Sequence, residues 1–552
     1  MVKRLTEGAL DLCPCVTFQP EIRMNLFERL FLADRSLRHA VLFEGRKITY
    51  AELRAETVRV AEVLNALGVR DGDRVAILLA DSPEFIATFV GIVSIGAIAV
   101  PINLALGRED QLFILKDCGA CAAVVEAHTA CALFENSPRP LDLKNLVLVQ
   151  KGADDTALQI PGIVIQGFSD AARLTLNRAE LGDEEALPYG RASDTDADAF
   201  ILYTSGSTGE PKGAVHTQAD IFSTNETYCR EVLKLGDGDR LFSSSRLPFA
   251  YGLGNSFTFP LLNGFTTILC REKPTPEVVS HVLNEYRPTI FFGVPVVYRM
   301  LLEHHRNVAA LDCSSLRLCI SAGEALPAQL GQEWQRTFGV EVLDGIGSTE
   351  MLHMFMSNLS ADLRYGSSGK LLGGYEAKLI DHEGVATETG DVGNLWIRGD
   401  SAASRYWQRA ETSAETFVDG WTRTGDLYRC DRSGFWWHMG RSDDCFKPTG
   451  QWVSPIEVES VLLRHESARA AAVVEGFDDA GLSCVCAFVV LAEGRDPQKD
   501  ESDLRELCAG ALPRFKQPRR YLFVSELPYT ATGKVQRFKL REQLRKSPKS
   551  NV

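Results

Sequence analysis

Between residues 204 and 213 the chain reads Thr204-Ser205-Gly206-Ser207-Thr208-Gly209-Glu210-Pro211-Lys212-Gly213, directly after the apolar stretch AFILY. Glycines let a backbone turn tightly and present its N–H groups, and the hydroxyls and the lysine add donors of the kind phosphate oxygens accept from. The string is not a Walker A loop, because Pro211 stands where that motif has its second glycine and no Ser or Thr follows Lys212. A kinase or GTPase of that class is thereby disfavoured. Such composition usually denotes a surface loop, but an ordered string of this length is more specific than that.

A second group runs Asp344-Gly345-Ile346-Gly347-Ser348-Thr349-Glu350. A carboxylate beside a hydroxyl can hold a hard divalent cation against phosphate. By residue type alone, a helix N-cap with an acidic first turn is the commoner explanation. Taken singly, Ser321-Ala322-Gly323-Glu324-Ala325 is any strand-to-helix turn, and Asp426 in Thr424-Gly425-Asp426 reads as a hairpin-turn acid. Lys534, in Pro528-Tyr529-Thr530-Ala531-Thr532-Gly533-Lys534, reads alone as a solvated charge. Cys118 and Cys121 have redox or zinc spacing, but no second pair has metal-ligand spacing and an apolar AAVV follows, so they are expected to be structural.

These groups need a scaffold of several layers. At 552 residues the chain exceeds what one core supports, and 45% hydrophobic with 24% charged residues is ordinary for a folded soluble protein. The net charge of −14, with no basic run before the short Arg545, Lys546, Lys549 cluster, gives no sign of a nucleic-acid surface. An anionic ligand must then be held by local donors. The 14 cysteines are scattered, often in apolar runs such as that of Cys484 and Cys486, which suits reduced thiols and a cytoplasmic setting. The first residues have no continuous apolar stretch of signal-peptide type. The uncharged run from Phe85 to Gly107 is punctuated by Gly91, Gly96 and Pro101, and is expected to be a helix end turning into a buried strand rather than a membrane span.

Helical patterns alternate with short β-rich runs through the first third, which predicts α/β layers with mainly parallel sheets. From about 366 to 440 short strands and turns predict a β-rich subdomain, and after Arg441-Ser442-Asp443-Asp444 a compact α+β pattern begins. The expected division is 1–442 and 443–552, with a hinge in the charged junction.

Jointly and in order, these motifs resemble those of the acyl-adenylate-forming superfamily, which includes acyl- and aryl-CoA ligases, peptide-synthetase adenylation domains and luciferases. The resemblance covers nearly the whole chain. It implies a large N-terminal domain of layered α/β subdomains with a β-rich subdomain, and a small mobile α+β C-terminal domain. It implies that Thr204, Ser205, Gly206, Ser207, Thr208, Gly209 and Lys212 hold the ATP phosphates, and that Gly323, Glu324 and Ala325 line the adenine with Asp344 and Gly345 nearby. Thr349 would contact the α-phosphate, Glu350 would carry Mg²⁺, and Asp426 with Arg441 would clamp the ribose. Lys534 would be catalytic, stabilising charge on the attacking carboxylate and the pentacoordinate phosphorus. Asp443 would be the pivot, Gly450 would lie at the pantetheine passage, and Lys447 would touch the nucleotide part of coenzyme A.

Leu247-Pro248-Phe249-Ala250-Tyr251-Gly252-Leu253-Gly254-Asn255 and Glu350-Met351-Leu352-His353-Met354-Phe355 are most similar to the benzoate-CoA ligase branch. There the positions matching Ala250, Tyr251, Ile346 and His353 wall a short flat pocket for an aryl acid. His353 has two readings, a core histidine satisfied by backbone or a group facing the ligand. Benzoate, aminobenzoates and hydroxybenzoates all stay open. The implied activity is an AMP-forming aryl-CoA ligase using ATP, Mg²⁺ and coenzyme A, without nucleic-acid or membrane partners and with a homodimer among the open assemblies. The sequence departs from the benzoate pattern at Phe446-Lys447-Pro448-Thr449-Gly450-Gln451-Trp452. That leaves two rival readings, an adenylation enzyme loading a carrier-protein phosphopantetheine and a nonreactive nucleotide-binding sensor.

Overall fold

Thr49 and Glu52 close a capping box at the start of helix Tyr50–Ala66, each side chain accepting from the other's backbone N–H. This is how the protein's first long helix begins in a computed structural model that describes residues 24–134, 142–149, 160, 162–168, 194–205, 210–448, 451, 453–478, 481–529 and 535–546. The helix lays its apolar side on helix Pro83–Ser94, which Ser82 caps and Pro83 opens. Every residue from Phe85 to Ser94 is buried, the mark of a helix enclosed on all sides. Gly91 allows the two helices to approach: a Cβ there would stand 3.1 Å from the Thr57 carbonyl oxygen and from Val60 Cβ. The chain then turns into the buried strand Ile98–Pro101. The long uncharged run is therefore core, and no helix among the described residues is long and apolar enough to cross a membrane.

Two large sheets form the bulk of the molecule. The first has eight strands in the order Arg405–Tyr406, Pro211–Thr217, Asp198–Ser205, Ile98–Pro101, Arg74–Leu78, Ala122–Glu126, Asn145–Val149 and Val164–Gly167. Its centre is parallel, and strands such as Ala122–Glu126 are buried along their whole length, which is why they read as unbroken apolar runs. The second sheet has nine strands, with Arg240–Ser243, Ile290–Gly293, Leu318–Ser321 and Val342–Gly347 parallel in its middle. Helix Pro83–Ser94 contributes to the largest core cluster, where Phe89 packs at 5.4 Å from Phe200 and 5.5 Å from Phe257.

A five-stranded antiparallel sheet follows, built from Glu376–Ile380, Val392–Arg398, Phe417–Val418, Trp421–Cys430 and Trp436–Arg441, and it is the β-rich part expected from the sequence. The last unit is α+β. Strands Ala468–Phe477, Ser483–Leu491 and Arg520–Phe523 form its sheet. Val458, Leu462, Leu504 and Cys508 of helices Pro455–Leu462 and Pro497–Ala511 pack on one face, and Leu540 of helix Arg537–Lys546 packs on the other. The molecule thus has a large N-terminal α/β portion and a small C-terminal α+β one.

Candidate functional site

Strands Asp198–Ser205 and Pro211–Thr217 are an antiparallel pair, with Thr204 opposite Lys212 and Ser205 opposite Pro211. The hydroxyl-rich string is therefore the mouth of a hairpin. Gly206, Ser207, Thr208 and Gly209 lie outside the described residues, while Thr204 is half-buried. Gly213 serves the strand pair rather than the turn, since a Cβ there would meet Ile201 Cγ2 at 2.6 Å and the Tyr203 ring at 3.0 Å. Lys212 Nζ stands 5.8 Å from the centre of the Tyr406 ring.

Strand Val342–Gly347 carries Asp344, Gly345 and Ile346, and ends in a single turn, Thr349–Met351, capped by the Ser348 hydroxyl. The N-cap reading is thus correct for Ser348, but a turn of three residues leaves Glu350 free for other work. Glu350 Oε1 accepts a hydrogen bond from the Tyr406 hydroxyl at 2.6 Å. Thr349 gives its carbonyl to buried His216, whose Nε2 lies 2.8 Å away. The backbone at Leu352 has φ +62°, a conformation that costs a non-glycine residue energy, and the next residue, His353, is buried.

Asp344 is buried beside Ser321, its partner in register on strand Leu318–Ser321. Its Oδ2 accepts from the Leu326 N–H at 3.2 Å, while Oδ1 and the Ser321 hydroxyl have no partner among the described residues. Burial pushes the Asp344 carboxyl well above the usual carboxylate range, with the Leu326 and Gly345 amides opposing. Above it the turn at Gly323 and Glu324 is exposed, Gly323 at φ +88°, and Ala325 is half-buried. Exposed backbone next to an unsatisfied buried acceptor suits a flat heterocycle bearing an N–H donor.

Asp426 is not a turn acid. It lies within strand Trp421–Cys430, directly opposite Arg441, and the turn comes later, where Asp431 accepts from the Ser433 and Phe435 N–H groups. Arg441 Nη1 and His438 Nε2 stand 3.4 and 3.3 Å from Asp426 Oδ1. Gly425, at φ +73°, leaves room for the guanidinium, which a Cβ would meet at 2.9 Å. Arg441 is held above its ordinary value by Asp426 first, burial opposing, with Glu350 and Asp443 adding, so these four charges share one neighbourhood. That donor set fits vicinal hydroxyls, a phosphate and a hard cation carried by Glu350.

Beside it, Tyr251 places its hydroxyl 3.3 Å from the Ile320 carbonyl oxygen. Its ring lies 5.7 Å from that of His353, which the rings of Tyr228 and Phe259 flank at 4.6 Å each. A narrow cleft lined by Thr224, Ala250, Leu253, Gly254, Leu352 and His353 adjoins them. Ile346 is half-buried next to this cluster. Neither ring nitrogen of His353 has a hydrogen-bond partner among the described residues. Both readings of His353 stay open, since the Tyr251 backbone also acts on the ring. Burial holds the imidazole down at about 3, the Tyr251 backbone opposing.

Asp443 is exposed, and Lys447 is exposed next to the bridge between Phe446 and Val453. Gly450 and Lys534 lie outside the described residues. Tyr529 and Val535 pair across the base of the Lys534 segment. Burial raises the Tyr529 hydroxyl, and Arg299 and Glu324 of the large portion act on it, so this base stands near the turn assigned to adenine. Sequence reasoning missed His216, Tyr406, His438 and Tyr228. It also missed Asn255, buried with both side-chain polar atoms unpartnered among the described residues, for which an amide inside an apolar run was the available signal. Burial pushes the thiols of Cys118 and Cys121 up to about 12 and about 11, which makes both poor thiolates.

Residues 32–407 match the family described as AMP-binding enzyme, and residues 457–534 match the AMP-binding enzyme C-terminal domain. The chain is 41% identical over 525 residues to a benzoate–CoA ligase of Thauera aromatica, covering 94% of this chain and 95% of that protein. Among solved structures, the anthranilate CoA ligase AuaEII in complex with anthranoyl-AMP is similar at a TM-score of 0.86 and 36% identity, covering 95% of this chain and 98% of that one. A benzoate CoA ligase from Burkholderia xenovorans LB400 is similar at a TM-score of 0.81 and 36% identity, covering 94% and 100%.

Proposed function

This chain belongs to the AMP-binding enzyme family, and we propose from that premise how its residues divide the work of an AMP-forming aryl-CoA ligase on benzoate or an amino- or hydroxybenzoate. The enzyme is an acid–thiol ligase with ATP and coenzyme A as co-substrates and Mg²⁺ as cofactor. The observation that carries the division of labour is the clamp in which Arg441 stands directly opposite Asp426, with Nη1 3.4 Å from Oδ1.

A carboxylate is a poor electrophile, so its oxygen must become part of a good leaving group. The aryl carboxylate attacks the ATP α-phosphorus and pyrophosphate departs, leaving a mixed anhydride with AMP. The sulfur of coenzyme A then attacks the acyl carbon, the thiol proton is lost, and AMP leaves. In the first step Asp426 and Arg441 fix the ribose, the loop from Thr204 to Lys212 and the Thr349 hydroxyl hold the phosphates, and Lys534 faces the charge that builds at the reacting oxygens. Bound Mg²⁺, which Glu350 would hold, supplies Lewis-acid neutralisation of phosphate charge. Tyr251, Ala250, Ile346 and His353 wall the ring, and a neutral His353 can donate one N–H to the carboxylate or to a polar ring substituent. In the second step Asp443 acts as the pivot that withdraws Lys534, and Lys447 and Gly450 border the path of the thiol. The division falls at residues 442 and 443. A cytoplasmic setting suits the buried free thiols, and a homodimer is the assembly to test by light scattering.

A panel of substituted benzoates, scored by AMP release with and without coenzyme A, tests this reading. Coenzyme A-dependent AMP release with at least one panel member is expected. Failure to form any aryl-CoA across the panel sinks it.

A further inference from the structure

Two buried side chains without a part in the steps above touch the Thr349–Glu350 turn from one side. His216 is fully buried on strand Pro211–Thr217, just beyond Lys212, with the Phe200 ring stacked on it at 5.3 Å. Its Nδ1 stands 2.7 Å from Asp220 Oδ2, and its Nε2 lies 2.8 Å from the Thr349 carbonyl oxygen. Tyr406 lies on the short strand Arg405–Tyr406, in register with Ala214 of the same strand, and donates to Glu350 Oε1 at 2.6 Å. Nearby, the Ala403 N–H donates to the Glu350 carbonyl at 2.7 Å. Both residues of the turn are thus held through their carbonyls, and one carboxylate oxygen is held as well. His216 lies on the strand that carries the phosphate-loop lysine, and Tyr406 on its edge partner.

We infer that His216 and Tyr406 are positioning residues for the adenylation step, bracing Thr349 and Glu350 at a fixed distance from the phosphate loop. A free glutamate side chain samples many rotamers, worth up to about 2 kcal/mol of entropy. A short hydrogen bond to a carboxylate is among the stronger kinds and removes that freedom before substrate arrives. His216 adds a side-chain contact to the Thr349 carbonyl, which also accepts the Leu352 N–H at 3.1 Å, and so ties the turn to the strand beside it. The inference rests on the roles proposed for Thr349 and Glu350.

Tyr406→Phe is the discriminating variant, because it keeps the ring over which Lys212 lies and the packing with Phe417 while deleting one O–H. Its kcat in pyrophosphate exchange should fall by roughly tenfold to a hundredfold, the loss typical of misplaced reacting groups. The KM for the aryl acid should stay within about twofold, and thioester formation from supplied aryl-adenylate should be unchanged, since that step needs no held carboxylate. Mn²⁺ binding with a nonhydrolysable ATP analogue, read by electron paramagnetic resonance, should weaken by about tenfold, as when an outer-shell partner of a metal ligand is lost. His216→Ala should show the same pattern, and His216→Gln, which keeps an N–H donor at the reach of Nε2, should restore most of the rate. Equal slowing of both half-reactions, an unchanged Mn²⁺ affinity in Tyr406→Phe, or no rescue by glutamine would overturn the inference. A wild-type protein that forms no aryl-adenylate defeats the proposed function instead, and the Mn²⁺ titration still reads the brace.

Discussion

His353 is a neutral ring because of where it is buried, and this has a consequence for stability. With its imidazole held at about 3 in the folded protein and an ordinary value of about 6.5 in the unfolded chain, unfolding takes up a proton between those pH values. The stability tied to the neutral ring is therefore complete above pH 6.5 and is lost progressively as pH falls toward 3. His353→Gln, uncharged throughout, should flatten that acid limb. The drop in unfolding free energy between pH 7 and pH 5 should shrink by about 2 kcal/mol, from 1.5 pH units at about 1.4 kcal/mol each. Denaturant titrations at the two pH values measure it, and an identical drop in wild type and variant would mean that the ring takes its proton without unfolding.

At the scale of elements, the strand Val342–Gly347 must reach Asp344, Ile346 and the Thr349 turn in one run, and its register is enforced by absence of a side chain. A Cβ at Gly345 would run into Met354 Cε and the Met356 carbonyl oxygen of the neighbouring strand Met354–Ser357. Gly345→Ala should cost about 1–3 kcal/mol through overpacking and raise the KM for ATP, as seen in the unfolding midpoint and in pyrophosphate exchange. A well-folded variant with unchanged ATP dependence would show that the strands can part without moving the turn. Elements of this kind were legible in the sequence where one strand or helix sufficed. The buried runs RVAIL and AAVVE, the helical pattern that follows Thr49 and the apolar SCVCAFVVL all fold as their patterns require. The contacts that complete the site were not legible, because their partners are distant in sequence. His216 reaches across 133 residues to Thr349 and Tyr406 across 56 to Glu350, and no periodicity carries that pairing. Asp426 was readable as an acid but not as a strand residue, since only the pairing with Arg441 moves the turn to Asp431.

For the whole molecule, the two half-reactions ask different neighbours of one bound adenylate, and the proposed pivot at Asp443 can be judged by the bonds on either side of it. Ser442 is tied to the large portion by its N–H and hydroxyl, both donating to the Gly425 carbonyl at 2.9 and 3.1 Å. Asp444 is tied to the small portion, with Arg541 Nη2 at 2.6 Å and Arg537 Nη1 at 3.6 Å on its carboxylate. Asp443 lies between those two anchors, and turning there must break the bonds that the Asp444 and Cys445 N–H groups donate to the Arg441 carbonyl at 3.1 and 3.0 Å. Arg299 reaches from the large portion to the Arg469 carbonyl at 2.6 Å, a contact that rotation about Asp443 must break. Lys534→Ala should therefore slow adenylate formation by about 10²–10³, the range for losing one donor to transition-state charge, and spare thioester formation from supplied aryl-adenylate. Asp443→Pro should do the reverse: with φ fixed near −65° the pivot stiffens, the first step proceeds, and aryl-adenylate accumulates on the protein. Rapid-quench measurement of bound aryl-adenylate separates the two variants. Equal loss of both half-reactions in each would mean that one arrangement serves both steps, and that the junction at Asp443 is a linker rather than a hinge.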